Sequence, residues 1–118
     1  MDDLGRSRQW TEMTELSRVK NLIKHTMEKL PEYMKEVHDD PSIIFAPCSS
    51  FVRYEPLGVV LVMGSWNFPY FVTLKPLVMA IAAGNCVMVK PSELAQKSAE
   101  VIKILIEKYL DENCFKVI

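Results

Sequence analysis

The sequence predicts an α/β fold, with a parallel sheet built in the order strand, helix, strand, helix, strand and preceded by an N-terminal helix and an edge strand. Residues 58–63 and 86–89 are continuously apolar and rich in β-branched side chains, which is typical of strands covered on both faces. Each is followed by a segment of helical length. Strands that alternate with helices form βαβ units, so we expect a parallel sheet.

The first third of the chain has the spacing of an amphipathic helix. One stripe at three- and four-residue steps, apolar except for a lysine, contains Met13, Leu16, Lys20, Ile23, Met27 and Leu30. We expect Pro31 to end this helix, because proline has no N–H and clashes with the preceding turn. Residues 39–41, Asp-Asp-Pro, then indicate a turn or loop.

The middle of the chain supplies a strand and a helix. Residues 50–55 have the composition of an exposed edge strand. Residues 71–83 are long enough for a helix that stops at the Gly-Asn pair 84–85. Pro76 suggests that the helix proper begins near Leu74 or Lys75, with the proline in its first turn.

The last third continues the alternation. Residues 98–110 predict a second helix, whose apolar side carries Val101, Ile102, Leu105, Ile106 and Tyr109. Residues 115–118 predict the start of a third strand. Ligands of such sheets bind outside the carboxyl ends of the strands. We therefore expect ligand-binding or catalytic residues in the loops after residues 63 and 89.

Composition excludes several classes of function. The chain has 118 residues and a formal net charge of −1, with lysine and arginine spread along it, so no electrostatic feature indicates nucleic acid or an anionic membrane. The acidic N-terminus lacks the apolar run of a secretory signal. The longest apolar stretches, such as residues 59–63, are too short to span a bilayer. We therefore expect one domain or a piece of one, without a membrane segment.

The three cysteines are Cys48, Cys86 and Cys114. Their odd number and wide spacing match no metal or redox motif. We interpret them as reduced thiols in a cytosolic setting, and as small core or surface residues without chemistry.

The first predicted loop holds Trp66 and Asn67 directly after a strand. An asparagine amide is a neutral N–H donor and can stabilise a carbonyl oxygen that becomes an oxyanion. The alternative is that Asn67 only caps a turn, where asparagine is common.

The second predicted loop holds Lys90, Ser92 and Glu93. The lysine could donate to ribose hydroxyls and the glutamate could accept from them, and a carboxylate on a ribose 2′-hydroxyl favours NAD over NADP. The alternative is a solvated loop that leads into a helix. Neither glycine-rich phosphate-binding motif, G-x-G-x-x-G or G-x-x-x-x-G-K-[ST], occurs in the sequence.

Three linked motifs resemble one enzyme superfamily. The run from residue 55 to residue 94, EPLGVVLVMGSWNFPYFVTLKPLVMAIAAGNCVMVKPSEL, is similar to the aldehyde dehydrogenases, and nearest to their class 3 branch of fatty and aromatic aldehyde dehydrogenases. The family pattern is a strand, W-N-[FY]-P, a helix, A-x-G-N, and a strand ending in K-P-S-E. These motifs stand here at residues 66–69, 82–85 and 90–93. The flanks match more weakly, for example at the D-L-G segment, residues 3–5.

The resemblance implies an aldehyde dehydrogenase-like fold with a Rossmann-like sheet, and the NAD(P)-dependent oxidation of an aldehyde to a carboxylic acid. Asn67 matches the family asparagine whose amide helps to hold the substrate oxygen. The positions beside the dinucleotide match Met63, Gly64, Ser65 and Trp66. Lys90 and Glu93 match the residues that contact the adenosine ribose, and Ser92 lies between them. Class 3 relatives often accept both NAD and NADP, so Glu93 does not decide between them.

The same resemblance implies an incomplete enzyme. The family's nucleophilic cysteine and general-base glutamate lie after the matched portion, and none of the three cysteines here aligns with the nucleophile. We therefore expect residues 1–118 to be a truncated NAD(P)-binding domain, inactive alone and without the catalytic domain. Residues 1–49 would be a helical segment and loop, and residues 50–118 the start of the sheet.

Two other hypotheses stay open. The chain could be a truncated, non-catalytic interaction or oligomerisation module, since half a sheet has an open edge that can pair with another chain. It could also be a remnant without function, whose exposed apolar strand favours aggregation. For an intact family member the resemblance implies a homodimer, and the unpaired cysteines favour a cytoplasmic location.

Overall fold

The structure is a computed structural model that describes residues 3–118. Its helices and strands, in chain order, are α1 (Arg8–Thr11), α2 (Ser17–Tyr33), β1 (Val37–Asp39), β2 (Ser50–Val52), β3 (Val59–Met63), α3 (Pro69–Ala82), β4 (Cys86–Lys90), α4 (Gln96–Tyr109) and β5 (Phe115–Val117). The predicted α/β architecture is confirmed, because β3, α3, β4, α4 and β5 alternate as expected. No helix among residues 3–118 combines the length and the apolar character needed to cross a membrane.

Strands β3, β4 and β5 form a parallel sheet in that order. Successive residues of a strand point to opposite faces, and one face of this sheet packs against α3 and α4. The buried core between them contains Val62, Leu77, Ala80, Val87, Val89, Ile102 and Ile106. Burying an aliphatic side chain of this size contributes roughly 1.5–3 kcal/mol, so this single layer of contacts stabilises the two βαβ units.

The other face of the sheet is uncovered in the described part of the chain. Leu61 and Met63 of β3 are 54% and 68% exposed, and Met88 of β4 is 40% exposed. The prediction that residues 58–63 are covered on both faces is therefore wrong for this chain. Successive crossovers of one hand place both helices on the same side, and a continuous apolar run does not reveal which segment covers the second side.

The N-terminal helix continues past the predicted stop. Pro31 lies inside α2, and the N–H of Met34 still donates to the carbonyl of Leu30 at 3.0 Å. The prediction that Pro31 ends the helix is wrong by about one turn. The proline removes only one hydrogen bond, close to the end where helical bonds stop in any case.

The buried side of this N-terminal segment is also shifted from the predicted stripe. Its buried positions are Thr11, Glu15, Val19 and Thr26. Met13 and Met27, both in the predicted stripe, are 61% and 70% exposed. Glu15 is a buried carboxylate with hydrogen-bond partners, and a prediction based on apolar character alone does not include such a residue.

Helix α3 begins earlier than predicted. Pro69 occupies the first helical position, and Pro76 lies in the interior, so the predicted start near Leu74 or Lys75 is wrong. Proline fits the first position, where no N–H is needed. The burial of Leu77 at 3% exposure helps to offset the bond lost at Pro76.

The predicted stop of α3 is confirmed. Gly84 has a φ of +80°, a left-handed conformation that glycine adopts without steric cost. Its N–H donates to the carbonyl of Ile81 at 2.9 Å, and the N–H of Asn85 donates to the carbonyl of Ala80 at 3.0 Å. This pair of bonds is the Schellman motif, which leads the chain directly into β4.

The exposed strand predicted over residues 50–55 is shorter, and its partner was not predicted. Strand β2 covers Ser50–Val52 and pairs antiparallel with β1, with Val37 opposite Val52. This two-stranded ribbon is separate from the parallel sheet. Of the turn or loop predicted over residues 39–41, Asp39 ends β1 instead, and Asp40 and Pro41 lie in the loop that follows it.

Candidate functional site

The two predicted loops lie side by side at the carboxyl edge of the parallel sheet. Met63 pairs with Lys90 at the ends of β3 and β4. One residue later, the N–H of Gly64 donates to the carbonyl of Lys90 at 2.9 Å. The strand ladder therefore fixes the beginning of one loop against the beginning of the other.

Gly64 allows helix α3 to approach the end of β3 closely. A Cβ atom at this position would collide with the side chain of Thr73, a residue that is 1% exposed. Close approach of this kind is one of the positions that require glycine. The contact sets where α3 begins and therefore where the turn at residues 65–68 lies.

The amide of Asn67 is oriented by its neighbour. The hydroxyl of Ser65 donates to Asn67 Oδ1 at 2.6 Å. The Nδ2 group carries two N–H donors, and neither bonds to another group among residues 3–118. Asn67 is exposed, so the turn can present a fixed N–H donor to an oxygen atom of a ligand.

Two large side chains stand at the same edge. Trp66 is 51% exposed and Met63 is 68% exposed. Partly exposed aromatic and apolar side chains next to convergent polar groups are the usual lining of a small-molecule site. Both were predicted to lie beside a dinucleotide, and their positions next to Asn67 and Lys90 are compatible with that role.

Lys90 and Glu93 form an ion pair in the second loop. The Lys90 Nζ lies 2.8 Å from Glu93 Oε2. The hydrogen bond from Lys90, a backbone hydrogen bond and the charge of Lys90 lower the pKa of Glu93. The carboxylate is therefore ionised at neutral pH. Exposed pairs of this kind contribute little to stability, so both partners are free to bond to the hydroxyls of a ligand.

Ser92 has a different environment. It is 8% exposed, and its hydroxyl accepts a hydrogen bond from the N–H of Leu94 at 3.2 Å. Its carbonyl accepts from the N–H of Ala95, also at 3.2 Å. Both bonds shape the turn that leads into α4. Beside this turn an open groove of about 460 Å³ is lined by Lys90, Ser92, Glu93, Gln96, Lys103 and Val117.

A buried glutamate, Glu15, which was not predicted from the sequence, binds the start of helix α3 next to the first loop. Glu15 lies in a π-helical turn, Glu12–Leu16, and is 1% exposed. Its Oε2 accepts hydrogen bonds from the N–H groups of Tyr70 and Phe71 at 2.9 and 3.1 Å. Helix α3 has no side-chain cap of its own, so this carboxylate satisfies two of its free N–H groups and complements its dipole.

Arg6 completes this support. Its guanidinium carbon lies 4.5 Å from the ring centroid of Phe68, the residue after Asn67, and its Nη1 lies 3.7 Å from Glu15 Oε1. Hydrophobic periodicity cannot identify either residue, because both are charged. The sequence pattern around Arg6 and Glu15 predicted only a helix with an irregular apolar stripe, and it did not predict this contact.

The first segment of the chain also caps α4. The carboxylate of Asp3 accepts from the N–H and the hydroxyl of Ser98, both at 2.7 Å, and from the N–H of Lys97 at 3.0 Å. Burial raises the pKa of Asp3, but the hydrogen bonds from Ser98 and Lys97 outweigh that effect, and the net pKa is lowered. The D-L-G segment therefore acts as a remote helix cap.

Two of the three thiols, Cys86 and Cys114, lie at the end of the parallel sheet opposite the Asn67 edge. Cys86 is the first residue of β4, at the opposite end from Lys90. Cys114 comes directly before β5. Cys48 is exposed in the loop between β1 and β2.

Comparisons with known proteins agree on one family. A family model described as "Aldehyde dehydrogenase family" matches residues 1–118. Aldehyde dehydrogenase family 3 member H1 of Arabidopsis thaliana is 38% identical over 117 residues, which cover 99% of this chain and 24% of that protein. The dimeric NADP-preferring aldehyde dehydrogenase of Canis lupus familiaris is 43% identical over 98 residues, which cover 81% of this chain and 21% of that protein.

A solved structure gives the same result. The substrate-bound state of Staphylococcus aureus AldH matches with a TM-score of 0.95 at 36% identity, covering 98% of this chain and 25% of that chain. The likeness in sequence therefore extends to the path of the backbone. The chain spans about a quarter of the length of the curated relatives it matches.

Proposed function

The chain belongs to the aldehyde dehydrogenase family, and we propose that it supplies a coenzyme-ribose turn and an oxyanion donor to an enzyme that oxidises an aldehyde to a carboxylic acid with NAD or NADP. The observation that carries this proposal is the juxtaposition of two turns at one sheet edge, through the 2.9 Å bond between Gly64 and Lys90. Ligands bind at this edge in open parallel sheets.

The Lys90–Glu93 pair fits a ribose. A ribose presents neighbouring hydroxyl groups, to which an ammonium can donate and from which a carboxylate can accept. Glu93 alone would favour a 2′-hydroxyl over a 2′-phosphate, whereas the adjacent Lys90 offsets the repulsion of a phosphate. The pair therefore supports the use of NAD or NADP, and the dog relative is named as preferring NADP.

Other residues of the edge would hold the rest of the coenzyme. The groove of about 460 Å³ beside the second turn offers space next to the ribose pair. Gly64, Ser65, Trp66 and Met63 would contact the dinucleotide from the first turn, and Ser92 would hold the second turn in shape. When bound, the nicotinamide supplies the acceptor for the hydride that leaves the substrate.

Asn67 would stabilise the substrate oxygen. Ser65 occupies the Oδ1 atom of the amide, which leaves Nδ2 to donate. A carbonyl oxygen gains negative charge when a nucleophile adds to its carbon, and a fixed donor lowers the energy of that state by more than it lowers that of the ground state. The aldehyde is the substrate class that this role implies.

We propose further that these 118 residues are part of an NAD(P)-binding domain and do not turn over aldehyde alone. The nucleophile of such a reaction must lie beside the oxyanion donor. Cys86 stands at the opposite end of its strand from that edge, and Cys114 is next to Cys86. Cys48 lies in the loop between β1 and β2, whose ribbon is separate from the parallel sheet. An assay with NAD, NADP and an aldehyde should therefore give no reduced coenzyme, and steady production would contradict this proposal.

A binding experiment tests the coenzyme turn. NAD, NADP and ADP-ribose are titrated into the chain by calorimetry, because ADP-ribose retains the ribose without the nicotinamide. Lys90→Ala should weaken all three by about tenfold, the scale of a lost hydrogen bond to a charged group. The matched control is Lys29→Ala, since Lys29 pairs with Glu32 at the same spacing and at the same 2.8 Å distance on α2.

Equal affinities in wild type, Lys90→Ala and Lys29→Ala would refute the ribose role. Glu93→Gln separates the two coenzymes. It should weaken NAD more than NADP, because only the 2′-hydroxyl bonds to the carboxylate. A loss of the same size for both coenzymes would show that Glu93 does not face the 2′ position.

A non-catalytic interaction module is the second candidate. An apolar groove of about 400 Å³ lies among α2, α3 and α4, and one face of the sheet is open. Exposed apolar surface is one of the features that interaction sites share. This hypothesis predicts that the chain co-elutes with a longer family member on mixing, and an unchanged elution profile would count against it.

We also propose a cytoplasmic homodimer as the working form. The dog relative is named as dimeric, and the three cysteines are free, as expected in a reducing compartment. Light scattering after gel filtration measures the oligomeric state, and cell fractionation measures the location. A monomer would contradict the proposed homodimer, and a membrane-bound pool would contradict the proposed cytoplasmic location.

A further inference from the structure

Two thiols lie next to each other at the amino ends of β4 and β5. The register pairs Val87 with Phe115, so the preceding residues, Cys86 and Cys114, are cross-strand neighbours. Their sulfur atoms are 2.8 Å apart, and both cysteines are free. A disulfide bond is about 2.05 Å long and tolerates Cα separations of roughly 4.4–6.8 Å, a range that includes the spacing of neighbouring strands of about 4.8 Å.

We propose that Cys86 and Cys114 are a dithiol oxidation site that forms an intrachain disulfide when a low-molecular-weight disulfide, such as oxidised glutathione, accepts the electrons. One protein thiolate attacks a glutathione sulfur and releases a glutathione thiolate. The second protein thiolate then attacks the mixed disulfide and releases another. Two protein thiols lose two protons and two electrons, and one oxidised glutathione becomes two reduced glutathione molecules.

The surroundings of the pair support a site that is reduced at rest and reachable by a small reagent. Both cysteines are partly exposed, on the sheet face that α3 and α4 leave uncovered. The hydrogen bond shared with Cys86, burial and the negative charge of Asp111 raise the pKa of Cys114. Cys114 is therefore mainly a thiol at neutral pH.

The pair is independent of the coenzyme turn. Cys86 stands at the end of β4 opposite Lys90, so oxidation should leave the affinity for ADP-ribose unchanged. A bond between the strands would close a loop around α4, because the two positions are 28 apart in sequence. Such a cross-link restricts the unfolded chain, so the oxidised protein should melt at a temperature higher by at least about 5 °C.

The experiment uses the Cys48→Ser chain, because it removes the exposed third thiol and keeps the pair. The reduced protein is incubated with oxidised glutathione, its free thiols are titrated, and its peptides are mapped by mass spectrometry. The expected product has no free thiol, no bound glutathione, no disulfide between two chains, and one linked peptide that joins Cys86 to Cys114. Further Cys86→Ser or Cys114→Ser substitution should instead leave a stable glutathione adduct on the remaining thiol.

Several results would overturn the proposal. One is a stable glutathione adduct on both Cys86 and Cys114 of the same molecule. Another is a disulfide between two chains as the main product. A third is that Cys86 and Cys114 of the wild-type chain stay unreacted after its exposed Cys48 has reacted. If the serine variants do not fold, peptide mapping of the wild-type chain decides alone. A link from Cys48 to either partner would also contradict the proposal.

Discussion

At the residue scale, the candidate site consists of side chains whose orientation is set by a neighbour. Ser65 orients Asn67 through its hydroxyl, and Lys90 orients Glu93 through an ion pair. The residue types and their places after two strands left a turn cap open for Asn67 and a solvated loop open for Lys90 and Glu93. The family resemblance was needed to predict them as site residues. The hydrogen bond that turns the Asn67 amide was not predictable, because it depends on the backbone path of a turn without regular structure.

Asn67→Ala in an intact enzyme that carries this segment should lower kcat by about 10²-fold, since one oxyanion donor is lost. The KM for the coenzyme should stay unchanged, because the amide acts on the substrate oxygen. Ser65→Ala should lower kcat by a smaller factor, since the donor remains but is no longer fixed. Steady-state kinetics measure both variants. A change confined to coenzyme affinity would show that Asn67 has a different role.

At the scale of elements, α3 and α4 both begin without side-chain caps of their own. Glu15 caps α3, and Asp3 caps α4, so the N-terminal segment holds the starts of both crossover helices. Sequence pattern predicted that both helices exist. It misplaced the start of α3 and the end of α2, because tertiary packing can retain a helix through a proline where the local rule predicts a break.

Glu15→Ala should destabilise the chain by about 3 kcal/mol, because it leaves two N–H groups of α3 and the Arg6 charge without their partner. Glu15→Gln should cost less, since its carbonyl oxygen can still accept from Tyr70 and Phe71. Urea unfolding followed by circular dichroism measures both. The matched control is Glu12→Ala in the same π-helical turn, where an exposed pair with Lys20 should contribute below about 0.5 kcal/mol. Equal losses at both positions would refute the capping role of Glu15.

The Asp3 cap should make stability depend on pH. The folded-state pKa of Asp3 is lowered, so its contribution is present above the unfolded value of about 3.9 and is lost as pH falls through the folded-state value. The melting temperature of Asp3→Asn should lie below that of wild type at pH 7, and the difference should shrink in acid. Thermal melts from pH 7 to pH 3 measure this, with Asp40→Asn, at an exposed position, as control. A difference that is constant with pH would contradict this assignment.

At the scale of the whole molecule, the parallel sheet is packed on one side only. Helices α3 and α4 cover one face, and the other face exposes Leu61 and Met63. The apolar groove among α2, α3 and α4 is open as well. The sequence predicted the sheet and its helices but could not predict this asymmetry. Apolar character indicates that a surface is covered, but it does not indicate which segment covers it.

The native chain should therefore bind an apolar fluorescent dye such as ANS. Groove residue Leu105 is 40% exposed, and Leu105→Glu should lower dye binding at the groove without unfolding the chain. Fluorescence titration measures the dye, and circular dichroism checks the fold. Lys103→Glu, on the same helix but outside the groove, is the control. Equal dye binding in all three proteins would show that the groove is not the apolar surface that the dye detects.

The two remote caps determine the order in which the protein can fold. Glu15 is separated by 55 residues from Tyr70, and Asp3 by 95 residues from Ser98. Contacts between such distant positions form only after large loops have closed, which slows folding. During synthesis Glu15 and Asp3 leave the ribosome first and must wait for the first turns of α3 and α4. The carboxyl edge of the parallel sheet is therefore expected to become ordered late, when most of these residues are already available to fold.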